Sequence, residues 1–137
     1  VKYLLDSNIV VAAIKGRLPV AVRLSSLRPG DIAVPIIAKM EAELALRGDT
    51  RAQTRYGKLL REFFANVRVL DFGAAEAQHA VTLGGYQRQG GGAPMDNYNL
   101  LVAATALAHQ LVLVTDDTLA FADVPGLDVE NWLRNAA

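Results

Sequence analysis

The chain has no cysteine. That excludes disulfides, thiolate zinc sites and cysteine nucleophiles together, and it fits a reducing cytoplasm, the expected location. An excess of either charge is also lacking: 14 Lys+Arg stand against 14 Asp+Glu, for a formal net charge of zero. Global charge therefore points to no nucleic-acid partner, and any electrostatic argument has to be local. No apolar run reaches the roughly 18 residues of a membrane span. The opening "VKYLLDSNIV" also has no basic segment leading into a long apolar one, so neither a membrane partner nor export is expected.

What is present is apolar bulk. With 137 residues and 52% hydrophobic content, the chain suits one domain over 1–137 with a real core. "KYLL" stops abruptly at "DSN", and "IVVAAIKG" then runs to a glycine. A buried strand followed at once by a helix is the natural reading, with Ser7 or Asn8 available as the cap. Pro19 opens a second helix, "PVAVRLSSLR", and "PGD" closes it. "IAVP" is the next strand, and "IIAKMEAELALR" is a helix of strong formers with Gly48 just past its end.

The helix over Thr50–Val67 is amphipathic, with Leu59, Leu60, Phe63 and Phe64 on one side and Arg51, Arg55, Lys58 and Glu62 on another. "RVLDF" reads as a strand, "AAEAQHAVTLGGYQRQ" as a helix weakened by Gly84 and Gly85, and a further helix starts near Tyr98. "LVLVTDD" is the clearest strand, and "LDVENW" suggests one more. Strands alternating with helices, the strands continuously apolar, predict an α/β fold: an open parallel sheet of about five strands flanked by helices. In such sheets ligands bind beyond the carboxyl ends of the strands.

The acids fall there. Asp6 ends the first strand, Glu41 and Glu43 lie early in the helix after the second, and Asp116 and Asp117 end the "LVLVT" strand. Asp96 and Asn99 stand at the head of the helix before it. Carboxylates gathered in this way repel one another unless a hard cation sits among them, and oxygen donors suit Mg²⁺ or Mn²⁺. A metal-dependent nuclease is a coherent reading of such a site.

At these residues the sequence resembles a family. "YLLDSNIVVAAIKG" resembles the opening of PIN domains, and "LLVAATALAHQLVLVTDDTLAFADVPGLDVENW" resembles the other diagnostic end of the VapC toxins, the ribonuclease halves of VapBC toxin–antitoxin modules. The likeness spans nearly the whole chain, strong at both ends and loose in the middle.

The resemblance implies that Asp6 is the first metal-binding acid, with Ser7 and Asn8 as the polar pair that orients it. The family glutamate falls on Glu41, with Glu43 an alternative because "EL" is also typical. The late acid falls on Asp117, beside Asp116, with Thr115 as the hydroxyl of the usual "VT". The remaining family aspartate falls on Asn99. A carboxamide there keeps one carbonyl oxygen and removes a negative charge, which lowers metal affinity and water activation. Two origins are open: an Asp→Asn change made so that a toxic nuclease can be produced, or a natural variant in which Asp96, one helical turn away, substitutes. The resemblance further implies a VapB-type antitoxin lying across the cleft, a toxin homodimer, and transfer RNA or ribosomal RNA as substrate.

Plainer readings stand beside these. Asp6 alone could be a helix cap, the two glutamates a solvated face, and Asp116-Asp117 turn chemistry. Arg47, Arg51, Arg55, Lys58 and Arg61 read first as the wet face of a helix and only second as a track for an RNA backbone, for which Lys15 and Arg17 are better placed. "GYQRQGGGAP" lacks the Gly-Lys-Ser/Thr ending of a phosphate loop. His79 and His109 read as structural, and Trp132 as packing. One rival function is a receiver-like phosphoryl-transfer domain with Asp71 as acceptor. The other is a catalytically silent PIN domain that binds RNA and antitoxin.

Overall fold

Alternation along three-residue strands divides the core in two. The computed structural model describes residues 1–134. In β1 (Tyr3–Leu5), Tyr3 and Leu5 face one side of the sheet and Leu4 the other, as the period of two in an extended chain requires. Ile32 and Val34 of β2 (Ile32–Pro35) join the first side, and Ala33 joins the second. The pattern repeats in β4 (Val112–Val114), where Val114 and Leu113 part in the same way.

The first side is covered by α1 (Ser7–Ile14), α2 (Leu18–Ser25), α3 (Ile36–Arg47) and α4 (Thr50–Asn66), with Trp132 edge-on to Tyr3 at 5.1 Å between ring centroids. The second is covered by α5 (Ala74–Arg88) and α6 (Asn97–His109), which contribute Leu83, Val102, Ala103 and Ala106. With β3 (Arg68–Leu70) and β5 (Val129–Glu130) at the edges, the sheet is five-stranded in the order β3-β2-β1-β4-β5. Every neighbouring pair is parallel. No described helix is long and apolar enough to cross a membrane.

Three local expectations change. The cap of α1 is Asp6, whose carboxylate accepts the Ser7 N–H, so the helix begins one residue before either expected cap could act. α2 stops at Ser25 because the Ser25 and Ser26 hydroxyls turn back onto the Val22 and Arg23 carbonyls. α5 runs unbroken through Gly84 and Gly85, where Gly84 lies against Leu100 of α6; tertiary packing outweighs the propensity penalty.

The strand order decides where a ligand goes. The chain steps outward from β1 to β2 and β3, then crosses back to place β4 on the other side of β1. The switch therefore lies between β1 and β4, whose carboxyl ends meet at Leu5 and Val114 in register. Asp71, the acceptor a receiver reading requires, instead follows the edge strand β3 and is exposed.

Candidate active site

Asp6 is the residue immediately past β1 at this switch. Its N–H continues the ladder to the Val114 carbonyl at 2.9 Å, and its extended backbone (φ −73°, ψ 163°) starts α1. The side chain is 2% exposed. A carboxylate so deeply buried needs donors on both oxygens, and it has them. Oδ1 accepts the Ser7 N–H at 2.8 Å and the Tyr98 hydroxyl at 2.7 Å. Oδ2 accepts the Thr115 hydroxyl at 2.9 Å and the Asn8 amide at 3.4 Å.

These donors are themselves tied together. Thr115, fully buried just past β4, accepts from Asn8 Nδ2 at 3.2 Å and from the Asp117 N–H at 3.2 Å. The Asn8 carboxamide oxygen accepts the Asp116 N–H at 3.1 Å, and the Tyr98 hydroxyl also lies 3.1 Å from Ser7 Oγ. The loop after β4 is thus fixed to the start of α1 by the side chains of Asp6, Asn8 and Thr115, two of which receive its backbone N–H groups. The strands bring Asp6, Ser7, Asn8 and Thr115 together as their sequence positions implied.

Electrostatics mark the same place. Partial burial, then the negative charges of Asp6 and Asp117, hold the Asp116 carboxyl above the usual carboxylate range. Burial, reinforced by the charge of Asp6, pushes the Tyr98 hydroxyl well above its ordinary value.

Asp96 and Asn99 have distinct places at the head of α6. Asp96 is the cap, its carboxylate accepting the Asn99 N–H at 2.8 Å. Asn99, half-buried in the first turn, shares a cleft with Asp96 and Asp117. On α3 the two glutamates diverge. Glu43 receives Lys39 Nζ at 2.6 Å, and with Arg47 and Arg61 it lines a groove between α3 and α4. Glu41 is exposed, one helical turn after Ile37, which packs with Tyr98 and Leu100 of α6.

The donors that meet here are oxygens, as a hard divalent cation prefers, and the repulsion felt by Asp116 is what such an ion would relieve. Charge is short, however. Among the described residues no three His, Cys, Asp or Glu side chains converge closely enough to hold a metal ion by themselves. At the head of α6 the residue that shares the cleft with Asp117 is the neutral Asn99.

Outside the site, His109 pairs with Glu76 at 3.2 Å, a structural role, and the basic residues of α4 are exposed. Lys15 Nζ lies 5.9 Å from the Tyr56 ring centroid. Sequence reasoning missed Tyr98. No local pattern signals a hydroxyl that reaches a carboxylate 92 positions away.

Comparison with known proteins agrees with this geometry. Residues 3–127 match the model of the PIN domain family. The tRNA(fMet)-specific endonuclease VapC of Shigella flexneri is 30% identical over 96% of this chain and 98% of its own length. The Salmonella typhimurium protein of the same name is 26% identical over the same shares. Among solved structures, VapBC2 from Rickettsia felis bound to a DNA fragment from its promoter superposes with a TM-score of 0.82 at 28% identity, covering 96% of this chain and 99% of that one. DNA-bound VapBC from Salmonella typhimurium gives 0.84 at 25%, covering 96% and 98%. With the sheet order, the acids at its switch point and a match over nearly its full length in agreement, the chain belongs to the PIN domain family, as a member of its VapC group.

Proposed function

We propose that this protein is a cytoplasmic endoribonuclease toxin, one PIN domain over 1–137, that hydrolyses RNA phosphodiester bonds with Mg²⁺ or Mn²⁺. The observation that carries the proposal is Asp6: a buried carboxylate at the switch point, oriented by four donors, with Asp116 and Asp117 beside it. The names of the VapC relatives, endonucleases specific for tRNA(fMet), support transfer RNA as the substrate class, with ribosomal RNA the alternative. The VapBC complexes support a VapB-type antitoxin as partner. A toxin homodimer belongs to the same proposal.

In this reading Asp6, Glu41 and Asp117 would hold the ion directly or through water, with Asn99 as the fourth, altered corner. Such an ion supplies an activated water and offsets charge on the phosphoryl group as it is attacked. The protein's own contribution is orientation. Thr115, Asn8 and the Ser7 N–H fix the plane of the Asp6 carboxylate, and Asp96 fixes the turn that carries Asn99. Glu43, held by Lys39, and Asp116, whose charge the neighbouring acids oppose, are the alternates if a principal acid proves dispensable.

Asn99 also favours a second reading, in which the chain binds RNA and antitoxin without cutting. One experiment separates the two: this chain and its Asn99→Asp variant, each free of antitoxin, are incubated with structured RNA in Mn²⁺, with an EDTA control. Cleavage that EDTA abolishes and that Asn99→Asp raises at least about tenfold is the expected result. Equal cleavage by both would move the fourth corner to Asp96 or Glu43. Cleavage by neither would remove the nuclease reading.

A further inference from the structure

The groove between α3 and α4 has a volume of about 340 Å³. Lys39, Glu43 and Arg47 approach it at one-turn intervals along α3, and Gln53, Gly57 and Arg61 do the same along α4. Leu60 and Phe64 lie between them. The single carboxylate of the groove is already neutralised, because Glu43 takes Lys39 Nζ at 2.6 Å. Arg47 and Arg61 are exposed, and among the described residues neither has a carboxylate within ion-pairing distance. On a chain of zero formal net charge, the groove therefore carries two uncompensated guanidinium groups.

Gly57 adds a second observation. After proline, glycine is the least favourable residue inside a helix, yet Gly57 stands near the middle of the 17-residue α4. Core packing does not demand it. The nearest atoms that a Cβ would meet are the far ends of two side chains, Gln53 Nε2 at 2.7 Å and Arg61 Nη1 at 3.5 Å. The bare backbone thus lets an amide and a guanidinium lie over one point of the groove. With Arg47 on the facing helix, they form a set of N–H donors suited to an anion with several oxygens.

From these groups we infer that the groove is an RNA-binding exosite, which grips backbone phosphates of a folded RNA at a distance from the acids that address the scissile bond. Arginine forks match phosphate oxygens in pairs. The outer face of α4 extends the positive surface, with Arg51, Arg55 and Lys58 exposed at spacings of about one turn. A folded RNA can engage the groove and this row together, whereas an acidic peptide lying in the groove would leave the row in water. Position also sets the kind of RNA. Lys39 and Glu43 stand two residues to either side of Glu41, about 200° round the helix, so the groove and Glu41 lie on opposite sides of α3. RNA that reaches both must pass around a helix about 10–12 Å across, which a folded RNA does and a dinucleotide does not.

The inference rests on the RNA reading above, and the test keeps the two apart. Fluorescein-labelled transfer RNA is titrated with the chain in EDTA, which prevents metal-dependent cleavage, and polarisation is followed from about 50 to 200 mM NaCl. The double variant Arg47→Gln/Arg61→Gln is expected to bind at least about tenfold more weakly at the low-salt end. Its plot of log affinity against log salt should be shallower by roughly 1.5, the loss of two phosphate contacts. Arg28→Gln/Arg68→Gln removes the same charge near the amino ends of β2 and β3 and should cost no more than about threefold. Gly57→Ala is expected to raise the melting temperature and yet weaken binding, because its methyl displaces the Gln53 and Arg61 head groups. Equal losses from the two double variants, or unaltered binding by Gly57→Ala, would overturn the exosite and leave the RNA reading in place. A labelled hexaglutamate peptide whose binding needs Arg47 and Arg61, when that of transfer RNA does not, would overturn it in favour of an acidic protein segment. No binding of transfer RNA would also overturn the exosite; the RNA reading falls with it only if the Asn99→Asp variant cleaves no RNA.

Discussion

Replacing Thr115 with valine tests the side-chain network at the head of the sheet, because valine keeps the shape of threonine and removes one oxygen. That oxygen donates to Asp6 at 2.9 Å and accepts from Asn8 and from the Asp117 N–H, each at 3.2 Å. The first bond is to a buried carboxylate, and charge-assisted bonds of that kind contribute about 1.5–3 kcal/mol. The other two add less. Asn8 Nδ2 keeps Asp6 as a partner, and the exposed Asp117 can turn its N–H to water. A loss of about 2–3 kcal/mol follows, at least a ~30-fold shift in the folding equilibrium. The corresponding fall in melting temperature is roughly 6–15 °C for a domain of this size. Urea unfolding monitored by far-ultraviolet circular dichroism measures it, with an unchanged slope confirming that the denatured state is unaltered. Thr82→Val, on the exposed face of α5, is the control and should move stability by no more than about 0.5 kcal/mol. A Thr115→Val effect as small as the control's would refute the view that this hydroxyl holds the buried carboxylate.

Other outcomes are equally specific. Tyr98→Phe should destabilise by about 1–3 kcal/mol, and in an alkaline titration one of the four tyrosines, absent from the variant, should stay un-ionised until the protein unfolds. The Gly73 N–H, at 2.7 Å from Glu76, holds that carboxyl below its ordinary value of 4.5 against the opposing effect of burial, and His109 adds to the lowering. A depressed folded-state value means that the stabilisation is present above 4.5 and is lost as pH falls through the folded value, so Glu76→Gln should flatten the acid limb of a stability profile measured from pH 7 down to about 3. Asp96→Ala removes the cap of α6 and should cost about 1 kcal/mol by urea denaturation; no measurable change would show that the Asn99 N–H finds water as readily.

Much of this architecture is legible in the sequence because local chemistry and tertiary role coincide. The bounds of α3, Ile36–Arg47, follow from helix formers ending at Gly48, and β1, β2 and β4 announce themselves as apolar runs buried on both faces. Where several residues share one chemistry, sequence does not choose. Asp6, Ser7 and Asn8 can each cap a helix, and only the neighbouring end of β4, with Thr115, makes Asp6 the cap and the other two its supports. Glu41 and Glu43 are equivalent in composition until Lys39, one turn earlier, takes Glu43 away. Tyr98 is invisible for another reason. It lies in an ordinary helical setting, and its meaning comes from a carboxylate 92 positions away.

The bond from Thr115 to Asp6 spans 109 positions, and it joins the first strand of the chain to the fourth. A ribosome making this protein therefore releases Asp6 long before anything exists to hold it. At about 5–20 residues per second the interval is several seconds, longer still while Thr115 remains inside the exit tunnel. Through that interval the amino-terminal helices can form, but no part-finished chain contains the grouped acids. If the finished domain damages RNA, its own synthesis is thereby protected up to that point: the harmful arrangement comes into being only after Thr115 has been made. Truncation before Thr115 should, by the same logic, yield a harmless chain even with Asp6 and both glutamates intact.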